Sequence, residues 1–311
     1  MKTKFLVIGI SASLILTLIV YYLLTNKPSN PKVLGISVNN FYSNKNIELE
    51  RIPEKKTGVQ DPNILADVVM LIDDETKYPL FYKNEKEPVP IASITKVMTF
   101  IIARENYKLD EIVEIGDEST KVVGSKINLK NSEKITVESL LYGLLINSGN
   151  DAASALSCHF GSQEEFVKKM NEKARELEMN NTYFVDSAGL NDGGRSSAFD
   201  IAIMFSYALK DDLFKNIIKI SETEIHSVDG EIIHSLKNSN RLITGEIQLG
   251  GILGGKTGFT LDAGHTLVCA AERDGNRLIS VILKTFVNTK TASAYESQKL
   301  LSWGFESYNF N

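Results

Sequence analysis

Apolar residues recur at two different periods along this chain. Val68-Val69-Met70-Leu71-Ile72 and Leu80-Phe81-Tyr82 are short apolar runs split by a polar stretch that begins Asp73-Asp74-Glu75-Thr76, which predicts a β-hairpin. Pro79 suits the start of the second strand, where its missing N–H costs the ladder least. The period then lengthens. Ile94, Val97, Met98 and Ile101 have helical spacing, as do Val137, Leu140, Leu141, Leu144 and Leu145. Ser162-x-x-Glu165 predicts the start of a further helix, because a serine oxygen there can accept an N–H of the first turn; Phe166, Met170, Ala174 and Leu177 form its inward face. Strand patterns return after about residue 220. Leu267 to Ala271 and Leu278 to Leu283 flank Asp274-Gly275, a strong hairpin signal, and a helical pattern from about Thr291 to Trp303 closes the chain. Strands at both ends around a central helical insertion predict an α+β domain, an antiparallel sheet flanked by helices.

Ahead of this domain, Phe5 to Leu24 carries no charge and is about as long as a helix needs to be to cross a bilayer core. Lys2 and Lys4 precede it, which favours a cytoplasmic N-terminus and an extracytoplasmic remainder. Residues 1–24 are therefore expected to be a transmembrane signal anchor. A cleaved signal peptide is the alternative, although Thr25-Asn26-Lys27-Pro28 supplies no convincing small-x-small site. Residues 25–62 are rich in Asn, Lys, Ser and Pro without sustained period and read as an extracytoplasmic linker to a domain spanning 63–311. The expected location is the cell membrane, single-pass, with the domain outside.

Composition narrows the function classes. With 43% hydrophobic and 23% charged residues in 311, the chain can bury a sizeable core. A formal charge of -5 and no Lys/Arg stripe with interleaved aromatics argue against a nucleic-acid partner. His159, His226, His234 and His265 have no HxxxH or CxxC companions, so neither a metal nor another cofactor is expected. Cys158 lies in a helical pattern and Cys269 in a strand, far apart in sequence, and two buried free thiols are expected in preference to a disulfide.

Three short patterns carry chemistry. Ser93-Ile94-Thr95-Lys96 begins a helix just after Pro90, and the i,i+3 spacing sets an amine one turn from a hydroxyl. A serine is a poor nucleophile until a neighbouring base takes its proton, and a partly buried lysine near other cations can be depressed enough to do so. Ser148-Gly149-Asn150 places a hydroxyl and a carboxamide at a helix junction. Lys256-Thr257-Gly258 ends the run Gly250-Gly251-Ile252-Leu253-Gly254-Gly255, where small residues let a ligand approach a strand edge. Each pattern is cheap on its own: Ser29-x-x-Lys32, Ser37-x-Asn39 and Lys56-Thr57-Gly58 repeat all three within the linker. The second set is spaced by 55 and 108 residues, so it alone can surround a pocket from three separate elements.

From about residue 65 to 306 the sequence resembles the low-molecular-mass penicillin-binding proteins, serine-type D-Ala-D-Ala carboxypeptidases. The resemblance rests on IASITKVMT, LLINSGNDAA, NNTYFVDSAGL, GGRSSAFDIA, GGKTGFTLDAGHTL and LLSWGF, in that order. It implies a β-lactamase/transpeptidase-like fold and acyl transfer from a peptidoglycan stem peptide to water, with β-lactams as inhibitors. Carried over, Ser93 is the acylated nucleophile, Lys96 its base and Ser148 a proton relay to the leaving D-alanine. Asn150 would hold the substrate amide, Lys256 would supply positive charge and Thr257 would bind the terminal carboxylate. In the Gly258-Phe259 segment, the N–H of Phe259 would join that of Ser93 in an oxyanion hole.

The chain departs from the family at three positions. Arg195 stands where His or Tyr is common. Ser187 occupies the place of the deacylating carboxylate of related penicillinases, and Ser293 that of a carboxylate-binding arginine, with Lys290 a partial substitute. Some relatives continue beyond the equivalent of Trp303-Gly304-Phe305 into a β-rich domain and amphipathic tail, an attachment the N-terminal anchor is expected to replace. A β-lactamase, disfavoured by Ser187, and a catalytically weak penicillin-binding wall module are the rival readings.

Overall fold

The computed structural model describes residues 52–310 apart from residue 288. The chain divides into Met1–Leu49 and Glu50–Asn311, and all described residues belong to the second unit. The apolar stretch Phe5 to Leu24 lies outside the described residues.

In chain order the elements are β1 (Glu54–Lys55), β2 (Val68–Asp73), β3 (Pro79–Lys83), a 3-10 turn over Ala92–Thr95 that runs into α1 (Lys96–Asn106), β4 (Ile112–Glu114) and α2 (Asp117–Thr120). There follow β5 (Lys134–Thr136), α3 (Val137–Leu145), α4 (Asn150–His159), α5 (Gln163–Glu176), α6 (Ala198–Ala208) and α7 (Asp212–Ile218). The last part holds β6 (Glu222–His226), β7 (Ile233–Lys237), β8 (Ile252–Thr260), β9 (Gly264–Arg273), β10 (Asn276–Thr285), α8 (Ala292–Ser307) and β11 (Tyr308–Asn309).

A five-stranded antiparallel sheet in the order β3-β2-β10-β9-β8 forms the spine. β2 is apolar along nearly its whole length because both of its faces are covered. Val68, Met70 and Ile72 join the larger core, shared with the helices that follow β3, while Val69 and Leu71 enter a second core with Leu300 and Leu301 of α8. β10 divides the same way, Ile279 and Val281 to one side and Leu278 and Ile282 to the other. A one-residue slip of register would exchange the two sets, so the pattern fixes the pairing. Each such side chain buried contributes roughly 1.5–3 kcal/mol, and Leu71→Ala would cost about 2–5 kcal/mol by leaving a hole beneath α8.

The predicted punctuation holds. Asp274 and Gly275 join β9 to β10 with φ of 51° and 79°, the positive pair that a tight two-residue turn requires. Ser162 caps α5 by accepting the N–H of Glu165 at 3.1 Å, with Phe166, Met170 and Ala174 buried and Leu177 packed against the same core. Cys158 in α4 and Cys269 in β9 are unpaired; Cys269 is buried, but Cys158 is only half-buried.

Residues 54–61, which the sequence reading assigns to the linker, are held against the folded unit. β1 pairs with β11, Lys55 makes an ion pair with Asp61, and the Trp303 indole donates to the carbonyl of Gln60 at 2.8 Å. A two-residue strand has no detectable period, which is why sequence pattern missed this clasp between the start of the unit and α8.

Candidate active site

The first site element is strained into place. Ala92 has a φ of 49°, a left-handed conformation that costs a non-glycine residue about 1–3 kcal/mol. The chain then turns as a 3-10 helix rather than entering the expected α-helix at Ser93, and α1 begins only at Lys96. At three residues per turn, side chains three apart eclipse, so Lys96 stands directly over Ser93. Lys96 Nζ lies 2.9 Å from Ser93 Oγ and 2.7 Å from both Asn150 Oδ1 and the carbonyl oxygen of Ala188. The lysine is fully buried. Burial first, and then the charge of Lys256, hold its amine well below the usual lysine range, against the opposing pull of Asp186 and Asp151. A neutral amine in this position can take the hydroxyl proton of Ser93.

The second and third elements meet at Ser148. Its φ of 58° turns the chain sharply between α3 and α4, and its hydroxyl accepts a hydrogen bond from Lys256 Nζ at 2.9 Å. Lys256 also donates to the carbonyl oxygen of Thr257 at 2.9 Å, and burial pushes its pKa down to about 7. β8 is an edge strand, so every second N–H along its free side lacks a sheet partner. Gly258 brings that edge against Ser93: a Cβ at Gly258 would lie 2.8 Å from Ser93 N and 2.6 Å from Thr266 Oγ1. Only glycine allows this approach.

A cleft of about 680 Å³ opens along β8, with Ser93, Ser148, Thr257, Gly258 and Phe259 on its walls. Asn150, expected on the lining, sits instead in the wall behind Lys96. It is buried, with Oδ1 engaged by Lys96 and Nδ2 donating to the carbonyl of Val123 at 2.7 Å, because the buried amine recruits the nearest amide oxygen.

The departures noted in sequence have physical counterparts. Ser187 points into the core, its hydroxyl 3.2 Å from both the Ala153 carbonyl and Ser157 Oγ, so it faces no water in the cleft. Ser293 does line the cleft, as does Lys290. Arg195 pairs with Tyr183 in an isolated bridge and is absent from the lining.

Sequence reasoning missed several contributors. Asp186 accepts the N–H groups of Ala188 at 2.7 Å, of Gly189 and of Asn191 at 2.8 Å, folding the loop so that the Ala188 carbonyl reaches Lys96. Gly189 presses so closely on the turn that carries Ser93 that a Cβ there would fall 1.9 Å from the carbonyl oxygen of Ala92. Asp151 accepts from the N–H groups of Ile127, Asn128 and Leu129 and so ties a loop to the start of α4. Ser239, Arg241 and His265 also line the cleft, His265 stacked on Phe259 at 4.7 Å between ring centroids. An aspartate in a helix's first turn and another just before a glycine loop were the available signals for Asp151 and Asp186.

Known proteins bear the same stamp. A family model described as D-alanyl-D-alanine carboxypeptidase matches residues 55–287. The D-alanyl-D-alanine carboxypeptidase DacF of Bacillus subtilis (strain 168) is 35% identical over 252 residues, 78% of this chain but only 63% of that protein, less than two thirds of its length. A D-alanyl-D-alanine endopeptidase of Haemophilus influenzae is 33% identical over 224 residues, 71% of this chain and 75% of the relative. The crystal structure of the Streptomyces K15 DD-transpeptidase superposes with a TM-score of 0.74 at 30% identity, covering 80% of this chain and 100% of the other. The expected arrangement of mixed helices around an antiparallel sheet is therefore the DD-peptidase fold.

Proposed function

The chain belongs to the D-alanyl-D-alanine carboxypeptidase family, peptidase S11, and from that membership we propose that it is a serine D-Ala-D-Ala carboxypeptidase acting on peptidoglycan stem peptides. The observation that carries the reading is the buried Lys96 amine, held well below its ordinary pKa and 2.9 Å from Ser93 Oγ. Lys96 takes the proton as Ser93 Oγ attacks the carbonyl of the penultimate D-alanine. The N–H groups of Ser93 and Phe259 hold the oxyanion, in the place where Gly258 lets β8 approach the nucleophile. Ser148, hydrogen-bonded to Lys256, passes a proton to the leaving D-alanine nitrogen, and the acyl group stays on Ser93 until water releases it. Thr257 binds the terminal carboxylate, and Asn150 steadies Lys96 through its Oδ1. β-Lactams present a strained carbonyl to the same groups and acylate Ser93. Because the Ser187 hydroxyl is spent in the core, that adduct is long-lived, which favours a penicillin-binding peptidase over a β-lactamase.

The same reading places the domain outside the cytoplasm, anchored by residues 1–24: Phe5 to Leu24 is uncharged, Lys2 and Lys4 precede it, and the substrate lies in the wall. Protection of the N-terminus alone from protease added to intact cells is the expected result there. For the activity, incubating the full chain in detergent with a pentapeptide ending in D-Ala-D-Ala should release free D-alanine in a Ser93-dependent manner. Penicillin labelling without any D-alanine release would favour a catalytically weak wall module.

A further inference from the structure

β7 carries a buried histidine that the chemistry above does not use. Both ring nitrogens of His234 face oxygens: Nδ1 lies 2.8 Å from the carbonyl oxygen of Ile127, and Nε2 lies 2.7 Å from Oε1 of Glu133, which is buried as well. A carbonyl only accepts, so Nδ1 carries the hydrogen of the first bond. The second bond holds one proton shared between ring and carboxyl, while Glu133 Oε2 accepts the N–H of Lys130 at 2.8 Å. Burying such a pair carries a desolvation penalty that an apolar side chain at the same inward position, like Leu236 two residues on, would not incur. What the pair secures is the position of Ile127.

That residue is gripped on both sides of its backbone, since its N–H donates to Asp151 Oδ1 at 3.0 Å while its carbonyl accepts from His234. Its side chain is a wedge between α3 and the turn that leads into α4. A Cβ built on Gly143 would fall 2.7 Å from Ile127 Cδ1, and one built on Gly149 would fall 3.2 Å from Ile127 Cγ2. Gly149 follows Ser148, whose hydroxyl meets Lys256 from a left-handed backbone at φ 58°. The residues just before the wedge are laced to the same junction: the Ser125 carbonyl accepts the N–H of Asn150 at 2.7 Å, the Lys126 carbonyl accepts from Asn147 Nδ2 at 2.8 Å, and Ser125 Oγ donates to the Asn147 carbonyl at 2.8 Å. The path from His234 through Ile127 and Gly149 to Ser148 is therefore a run of direct contacts.

Resting on the carboxypeptidase reading above, we propose that His234 is a positioning residue for the proton relay: clamped between Glu133 and the Ile127 carbonyl, it sets the wedge that holds Ser148 where the leaving nitrogen receives its proton.

The test uses the full chain in detergent and two substrates that differ in the leaving group, a pentapeptide ending in D-Ala-D-Ala and the same peptide ending in D-Ala-D-lactate. An amide nitrogen leaves only once protonated, whereas the alkoxide of the ester is a better leaving group and depends less on a relay. His234→Gln keeps a donor toward Glu133 and removes the one toward Ile127. It is expected to lower kcat on the amide by roughly 10- to 100-fold, the worth of a misplacement near 1 Å, and on the ester by less than about threefold. His234→Asn sets its amide nitrogen in the place of Nδ1 and should recover most of the amide rate. Equal losses on both substrates would mean a structural role, and His234→Asn as damaging as His234→Gln would mean that the bond to Ile127 is not what matters; either result overturns the assignment. Should His234→Gln fail to fold, Ile127→Val keeps the clamp and thins the wedge, and the amide-to-ester ratio is expected to fall a few-fold; an unchanged ratio there overturns the assignment too. A wild-type chain that cleaves neither substrate, by contrast, overturns the carboxypeptidase reading itself, and the inference with it.

Discussion

The two ends of the cleft are built on opposite physical terms. Around Ser93 the groups are buried and committed: Lys96 Nζ is surrounded by three oxygens, Ser148 is bound by Lys256, and a glycine loop fixed by Asp186 backs the amine. At the other end Arg241, Lys290, Thr289 and Ser293 line the cleft, and of these Arg241 is tied only to a half-exposed glutamate. Chemistry requires desolvation, since only a dry site depresses a lysine enough to act as a base near neutral pH. Recognition of a charged terminus tolerates water and works with exposed cations. The buried end follows the family pattern, and the open end is where this chain departs from it.

That contrast can be broken first at its buried end. Lys96→Ala should slow acylation of Ser93 by penicillin about 10²–10⁴-fold, the usual worth of a general base, in stopped-flow measurements. A loss below tenfold would move the base role elsewhere.

Next in size is Asp186→Ala, which frees the loop carrying the Ala188 carbonyl and should cost roughly 10- to 100-fold in kcat/KM through misplacement of Lys96. Its pH signature has a definite sign. Lys96 acts when neutral, so activity falls as pH falls through its pKa; the Asp186 carboxylate raises that pKa, and its removal should move the acidic limb of kcat/KM to lower pH. Asp186→Asn keeps acceptor capacity and should lose less rate while showing the same shift. Lys256→Ala should move the limb the other way, because the charge of Lys256 lowers the pKa of Lys96. Limbs that do not move would reduce Asp186 to a loop cap.

At the open end the expected effects are smaller. Ser293→Arg should raise kcat/KM on D-Ala-D-Ala peptides by about tenfold, near 1.4 kcal/mol of transition-state binding. Lys290→Ala should lower kcat/KM a few-fold, in line with a single exposed charge. If neither change moves kcat/KM, Lys256 and Thr257 suffice for the carboxylate.

The smallest expected effect is kinetic silence. Ser187→Ala should leave the lifetime of the penicilloyl adduct unchanged while costing about 1 kcal/mol of stability for its lost hydrogen bonds. A shortened or lengthened adduct lifetime would bring Ser187 back into the chemistry.

Legibility in the sequence followed the same division. The sheet, its hairpins and helices α3 and α5 could be read because burial imposes a period on local sequence, and Ser93, Lys96, Ser148 and Lys256 because each sits in a short pattern at a wide spacing. Ala188 acts through its backbone carbonyl, which leaves no residue-type signature. Arg241 reaches Thr257's neighbourhood through a connection between strands that only the fold specifies. The family resemblance implies that Asn150 holds the substrate amide, and the structure gives its oxygen to Lys96, since a carboxamide beside a buried amine serves the partner already there.

The central claim is that Ser93 is the acylated nucleophile. Peptide mass spectrometry of the full chain after exposure to penicillin tests it most directly: the account predicts one covalent adduct, mapped to Ser93 and lost in Ser93→Ala, whereas undiminished labelling of that variant, or an adduct on another residue, would contradict it.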